Sequence, residues 1–238
     1  MKNRLYDATK IDWDNLMFST KELWMLLIPI MVEQMLNSLM GMADTMMVSN
    51  VGSVAMSAVS LVDSINTLVV QVFAALATGA AIICSHYLGK GDERGANKAA
   101  RQIFLTVIVI SLTITAGGLI FCRPLLRLIF GAVEPAVMED SIIYFLITAS
   151  SYPFIALFNA GGAFYRAGGN SKFPMQISII SNVLNIIGNA VLIFGCDMGV
   201  AGAAISTLVS RAFCAIVVLY FLRKPKQKIV LNQNHTIL

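Results

Sequence analysis

The sequence predicts an all-α integral membrane protein built as a bundle of six transmembrane helices. Of its 238 residues, 57% are apolar and only 13% are charged. A typical soluble domain has about 25% charged residues, and half that share cannot cover a surface exposed to water. The apolar residues are also grouped into runs of about 20 or more, the length that a helix needs to cross a bilayer. Lipid is therefore the expected surrounding of this chain.

Glycine, proline or charged residues separate six apolar stretches along the chain. The predicted spans cover residues 23–49, 54–85, 102–122, 140–164, 173–195 and 200–222. They divide the sequence into a leader (1–22), a six-helix transmembrane lobe (23–222) and a basic, polar tail or linker (223–238). In the loop after the second span, Asp92 is the expected N-cap of a short helix that runs into the third span.

Lysine and arginine are distributed unevenly between the loops. If the N-terminus is cytoplasmic, nearly all of them fall in cytoplasmic segments, whereas the outer loops hold only Arg123 and Arg127. By the positive-inside rule, both termini are expected in the cytoplasm. The net charge of +4 does not indicate a nucleic-acid partner, because the basic residues lie in loops between spans. The four cysteines form no CxxC pair, so neither a metal site nor a disulfide scaffold is expected.

Polar side chains inside the first span lie on one face. By the helical period, Asn37 is about 40° and Asp44 about 20° from Glu33 around the helix axis. Such a stripe faces other helices or water rather than lipid. Pro29, four residues before Glu33, is expected to kink this helix. We interpret Asp44 as a cation or proton site and Glu33 as a second protonatable or desolvated, neutral group.

Three further spans carry polar stripes. These are Asp63, Asn66, Thr67 and Gln71 in the second span, Ser178, Asn182, Asn185 and Asn189 in the fifth, and Thr207 with Arg211 in the sixth. Together they can line one polar interior surface. For Ser178 and Asn182, hydrogen bonding between helices is an equally good explanation. Asp63 can simply reach interface water, and Arg211 can pair with an acid or extend toward the interface.

Five segments resemble the multidrug and toxic compound extrusion (MATE) family in the order expected for that family. They are Pro29 to Thr45, the Gly89-Lys-Gly-Asp92 loop followed by Ala96, Ala163 to Pro174, Asn182 to Asn189, and Gly199 to Thr207. The resemblance covers about residues 15–222 and implies the N-terminal six-helix lobe of a twelve-helix, MOP-superfamily fold. It also implies a second lobe or a homodimer as partner, and residence in the inner (plasma) membrane.

The resemblance implies an antiporter, not an enzyme, that exports small cationic or amphipathic organic compounds against inward H⁺ or Na⁺ flow. No cofactor beyond the coupling ion is expected. By matched position, the coupling cation would bind at Asp44, Asn185, Asn189 and Thr207. Some relatives carry an acid where this chain has Asn189, which leaves one carboxylate here instead of two. Cavity-lining or substrate-binding roles are expected for Glu33, Asn37, Asp63, Asn66, Gln71, Asn182 and Arg211.

Three alternatives stay open from the sequence. A lipid-linked oligosaccharide flippase would need a more cationic cavity. Here Arg211 is the one intramembrane cation, against the three acids Glu33, Asp44 and Asp63. A membrane-embedded enzyme is disfavoured because the sequence has no HExxH, GxSxG or paired GxGD motif. A non-transporting remnant or assembly subunit would tolerate Asp44→Asn with no change in drug resistance.

Overall fold

The computed structural model describes residues 20–224 and Ile229, and this part of the chain is helical with no strand. The eight α-helices are α1 (Thr20–Ser49), α2 (Ser53–Gly89), α3 (Glu93–Ile120), α4 (Cys122–Phe130), α5 (Pro135–Ser150), α6 (Tyr152–Ala167), α7 (Lys172–Asn189) and α8 (Gly199–Leu222). A π-helical segment, Ala190–Gly195, extends α7. The predicted leader up to residue 19, and the tail beyond Lys224 except Ile229, lie outside the described residues.

Five of the predicted spans are confirmed as single long apolar helices: α1, α2, α3, α7 with its π-helical segment, and α8. The fourth span is predicted as one stretch, 140–164, and this is wrong. It is broken at Ser151 into α5 and α6, which meet at an angle of 42°. Pro153 lies in the first turn of α6, where it has no amide hydrogen to continue the ladder of α5. Counted as one bent span, this pair brings the number of spans among the described residues to six.

The predicted cap at Asp92 is confirmed, because its Oδ1 accepts a hydrogen bond of 2.8 Å from the amide of Gly95. The helix that it begins does not stop before the third span: α3 is continuous from Glu93. The segment after α3 is predicted as an outer loop, but it forms the short helix α4. Its residues Cys122 and Leu126, one turn apart, are both buried, and this apolar face holds α4 against the bundle.

The interior of the lobe lies between α2, α5, α6 and α8, where small residues allow close approach. A Cβ built on Gly161 of α6 would overlap Cγ1 of Val218 on α8. Phe73 of α2 and Tyr152 of α6 pack edge to face with ring centroids 6.3 Å apart. Small residues at helix crossings are typical of membrane bundles, since apolar packing is the main force between helices in lipid.

Helix α1 lies at the edge of this bundle, packed on α7 and α2. Only Pro29, Glu33 and Val48 of its 30 residues are buried. The helix continues through Pro29 without interruption. Because so little of α1 is buried by apolar packing, its polar side chains make up a large share of its contacts with the neighbouring helices.

Candidate functional site

Four polar side chains from three helices form one connected group between α1, α7 and α8. Asn189 donates its amide nitrogen to Oδ1 of Asp44 and, at 3.1 Å, to Oδ1 of Asn185. Asn185 in turn donates to Oγ1 of Thr207 at 3.2 Å. Thr207 donates to the backbone carbonyl of Ala203 at 3.0 Å, which is the last hydrogen bond of this series. The four residues that the resemblance selects are thus in direct contact, and their role in cation binding stays a prediction.

The group is buried except at its carboxylate. Asn185 and Asn189 have no exposed surface, whereas Asp44 is half-buried. The Oδ1 atom of Asn189 is buried and has no hydrogen-bond partner among the described residues. An amide oxygen left in this condition is costly unless a ligand or water satisfies it. The arrangement therefore offers a carboxylate beside an unpartnered amide oxygen, which is a donor set for a small cation.

The spacing of the polar residues on α7 brings this group together. Asn182, Asn185 and Asn189 follow the helical period and share one face. A Cβ built on Gly188 would overlap Oγ of Ser206, so α7 and α8 cross closely at this point. Ser206 also donates to the backbone carbonyl of Asn185 at 2.8 Å. This contact fixes the height of α8 relative to α7 and so the position of Thr207.

A second polar group lies between α2, α5 and α6 and is centred on Asn66. Its amide nitrogen donates to Asp63 at 3.1 Å and to Thr148 at 3.4 Å, and its oxygen accepts from the hydroxyl of Tyr152 at 2.8 Å. Tyr144 donates to the same carboxylate oxygen of Asp63 at 3.1 Å. Asp63 is half-buried within this network, so the proposed contact with interface water does not account for its surroundings.

Arg211 of α8 is directed at the break between α5 and α6. Its Nη1 donates to Oγ of Ser151 at 2.7 Å, and Ser151 donates to the backbone carbonyl of Thr148 at 2.6 Å. The sequence left open an acid partner or extension to the interface, whereas the group to which Arg211 donates is a neutral hydroxyl. Arg211 follows Thr207 by one turn, so α8 carries a residue of each polar group.

The remaining predicted residues are distributed differently. Glu33 forms an ion pair with Arg166 of α6, with Oε2 and Nη1 3.2 Å apart. Arg166 lies just beyond the predicted fourth span, 140–164, and the structure includes it in the last turn of α6, which extends to Ala167. Asn37 accepts a hydrogen bond of 3.1 Å from Ser178 of α7, so the bridging interpretation of Ser178 is confirmed. Gln71 is exposed on α2, outside both polar groups.

The predicted single polar surface is therefore divided into two groups, and the second contains residues that the sequence analysis missed. They come from the fourth span: Tyr144, Thr148, Ser151 and Tyr152. Tyr144, Thr148 and Ser151 lie within about 60° of one another by the helical period. This common face is the signal in the sequence that marks the second polar group.

The MatE family model matches residues 29–191 of this chain. The uncharacterized transporter YisQ of Bacillus subtilis is 32% identical over 212 residues, which are 87% of this chain and 46% of that protein. The probable multidrug resistance protein NorM of Thermotoga maritima is 31% identical over 216 residues, 87% of this chain and 45% of its own length. The chain thus spans about half the length of the curated relatives it matches.

A solved structure of a MATE protein in the bent conformation has the same fold. It matches with a TM-score of 0.85 and 25% sequence identity, over 92% of this chain and 49% of that one. The expected fold, one six-helix lobe of the larger bundle, is confirmed by this likeness and by the spans of the described residues.

Proposed function

The chain belongs to the MATE family, and on that premise we propose that it is one lobe of a secondary exporter. Its cargo would be small cationic or amphipathic organic compounds, and inward flow of H⁺ or Na⁺ would drive their export. The observation that carries this proposal is the connected group of Asp44, Asn189, Asn185 and Thr207, which supports a cation site inside the membrane.

The chemistry of coupling rests on the single carboxylate of this group. A carboxylate held away from water has a high affinity for any small positive charge, whether a proton, Na⁺ or an organic cation. The amide and hydroxyl oxygens around Asp44 suit Na⁺ as additional ligands, and the Asn189 hydrogen bond suits the ionised state before a cation arrives. Since one carboxylate cannot neutralise two cations, the coupling ion and the cargo exclude each other. That exclusion couples their opposite fluxes.

Export also requires access to alternate from one side of the membrane to the other. In transporters of this general kind, one bundle moves against another around the binding site. We propose a second six-helix lobe as the partner, supplied by another segment, another chain or a second copy of this one. A twofold pair of copies is geometrically acceptable, because both would cross the membrane in the same orientation.

The distribution of basic residues supports the orientation and the membrane. Lys90, Arg94 and Lys98 lie at the α2–α3 turn, and Arg223 and Lys224 at the end of α8. We call this the basic end of the lobe, and we propose that it faces the cytoplasm in the plasma membrane. Asp44 lies nearer the opposite end of α1, so it would meet the coupling ion from outside.

The test is dye efflux from lipid vesicles that contain the purified chain, first under a proton gradient and then under a sodium gradient. Wild type should extrude a fluorescent organic cation under one of them, Asp44→Asn should not, and the exposed acid variant Glu139→Gln should behave as wild type. Equal efflux by wild type and Asp44→Asn would contradict coupling at Asp44, whereas no efflux by either protein would favour a remnant or assembly subunit.

The partner is tested by cross-linking a variant that keeps only Cys196, the one exposed cysteine among the described residues. A cross-linked dimer that extrudes dye supports a pair of copies. A chain that stays monomeric in lipid and extrudes none is not an autonomous half-transporter, and the second lobe must then come from a different polypeptide or segment.

A further inference from the structure

The contact between α1 and α7, which we call the seam, contains a second carboxylate besides Asp44. It lies toward the basic end of α1. Glu33 is 6% exposed, and its Oε2 pairs with Nη1 of Arg166 at 3.2 Å. Gly162 makes room for this arginine, since a Cβ there would lie 3.3 Å from Nη2. The arginine side chain is 26% exposed, so its guanidinium lies between the buried carboxylate and the surface.

Polar contacts connect the two carboxylates along the seam between α1 and α7. Ser178 donates to Asn37, and Asn189 donates to Asp44, so hydrogen bonds cross the seam at two heights. From the first hydrogen bond to the second, the residue numbers rise on both helices. The helices α1 and α7 therefore run parallel. From Glu33 to Asp44 the rise along α1 is about 16 Å.

Asn182 lies on α7 between the heights of these two hydrogen bonds. By the helical period it lies about 40° from Ser178, on the face that α7 turns toward α1. Its amide nitrogen is buried and has no hydrogen-bond partner within the part of the chain that the structure describes. A buried donor of this kind is normally satisfied by water. The seam thus offers an unused donor midway between its two acids.

We propose that the α1–α7 seam is the route by which the coupling cation leaves Asp44 for the cytoplasm, with Glu33 as the last carboxylate on its path. This inference rests on the proposed cation site at Asp44. The cation dissociates from Asp44 and passes Asn182 and Asn37. It then binds the Glu33 carboxylate in place of the Arg166 guanidinium, which turns toward the exposed side of the arginine side chain. When the cation enters the cytoplasm, Arg166 returns to Glu33. If the cation is a proton, its bond to the Asp44 carboxylate breaks and a bond to the Glu33 carboxylate forms.

The physical reason for such a pair is the cost of charge inside a membrane. A bare cation meets a high barrier there, and a second carboxylate lowers it at the inner half of the path. Between transits the same carboxylate needs a countercharge, and Arg166 supplies it. For stability alone a buried ion pair is a poor choice, since apolar residues of similar volume often serve as well or better.

The test compares equilibrium cation binding with cation flux for the full chain in lipid, using Na⁺ and then protons. Glu33→Gln should keep the wild-type affinity but lower the flux by at least about tenfold, because the cation then crosses a neutral stretch. Asn182→Leu should have the same effect. This variant should fold well even if Glu33→Gln does not, because it replaces an unsatisfied donor with an apolar group of similar size.

Glu139→Gln is the matched control, since it removes an exposed acid of α5 and should leave binding and flux unchanged. Wild-type flux in both Glu33→Gln and Asn182→Leu, with flux abolished in Asp44→Asn, would overturn the route but leave the Asp44 site standing. Binding that does not depend on Asp44 would overturn the proposed function itself.

Discussion

Asn189 on α7 uses one side-chain nitrogen to hold both the Asp44 carboxylate on α1 and the amide oxygen of Asn185 on its own helix. This contact ties the edge helix α1 to the α7–α8 pair at the level of Thr207. It also leaves the oxygen of Asn189 buried, with no partner in residues 20–224 or Ile229. The same residue therefore positions the carboxylate and offers a further ligand beside it.

Replacing Asn189 by aspartate should raise the affinity of the site for Na⁺ by at least about tenfold, because a second carboxylate adds attraction in a poorly hydrated place. In the absence of Na⁺ the two acids should share one proton. Equilibrium binding of sodium to the purified protein measures both effects. Asn50→Asp, which adds the same charge at an exposed position after α1, is the control. Equal affinities for the two variants would argue against a cation at Asp44.

Arg211→Met should lower the free energy of unfolding by about 1.5–3 kcal/mol, the usual worth of a hydrogen bond to a charged group. The loss arises because the Ser151 hydroxyl at the α5–α6 break no longer has its arginine partner. Thermal unfolding in detergent measures it. Arg127→Met removes an exposed arginine of α4 as the control, and equal melting temperatures for both variants would show that Arg211 does not brace the break.

The polar stripe of α7 could be predicted from the sequence, because the helical period alone puts Asn182, Asn185 and Asn189 on one face. Its association with Asp44 was implied by the resemblance to the MATE family. The break at Ser151 could not be predicted, since serine and threonine also occur inside unbroken transmembrane helices, where they bond to the backbone or to other helices. Pro153 is the one local indication of it. The Glu33–Arg166 pair joins residues 133 positions apart, and no periodicity within one helix can reveal such a contact.

Gly161→Ala should destabilise the lobe by about 1–3 kcal/mol, because the new methyl group overlaps Val218 where α6 crosses α8. Gly117→Ala is the matched control: it lies inside α3 with no atom within 4 Å of the added Cβ. There, alanine should be neutral or stabilising by about 0.5–1 kcal/mol, since it favours helix. Comparison of the two melting temperatures decides the matter, and a drop of equal size in both would exclude close packing as the cause.

The orientation is tested with a membrane-impermeant maleimide. Cys196 lies between α7 and α8, opposite the basic end, and should react in right-side-out vesicles. Cys84, Cys122 and Cys214 are buried and should stay unlabelled. In a variant that lacks Cys196, a cysteine introduced by Lys90→Cys at the basic end should react only in inside-out vesicles. The reverse pattern would place the basic end outside and contradict the proposed direction of ion flow.

The central claim is that the Asp44 carboxylate holds the coupling cation, and equilibrium cation binding to the purified full chain in lipid tests it most directly. Wild type and Glu139→Gln should show saturable binding of Na⁺, or uptake of a proton, that a cationic dye displaces in competition. Asp44→Asn should show none. Binding of unchanged affinity in Asp44→Asn, or dye that binds without displacing the cation, would contradict the claim.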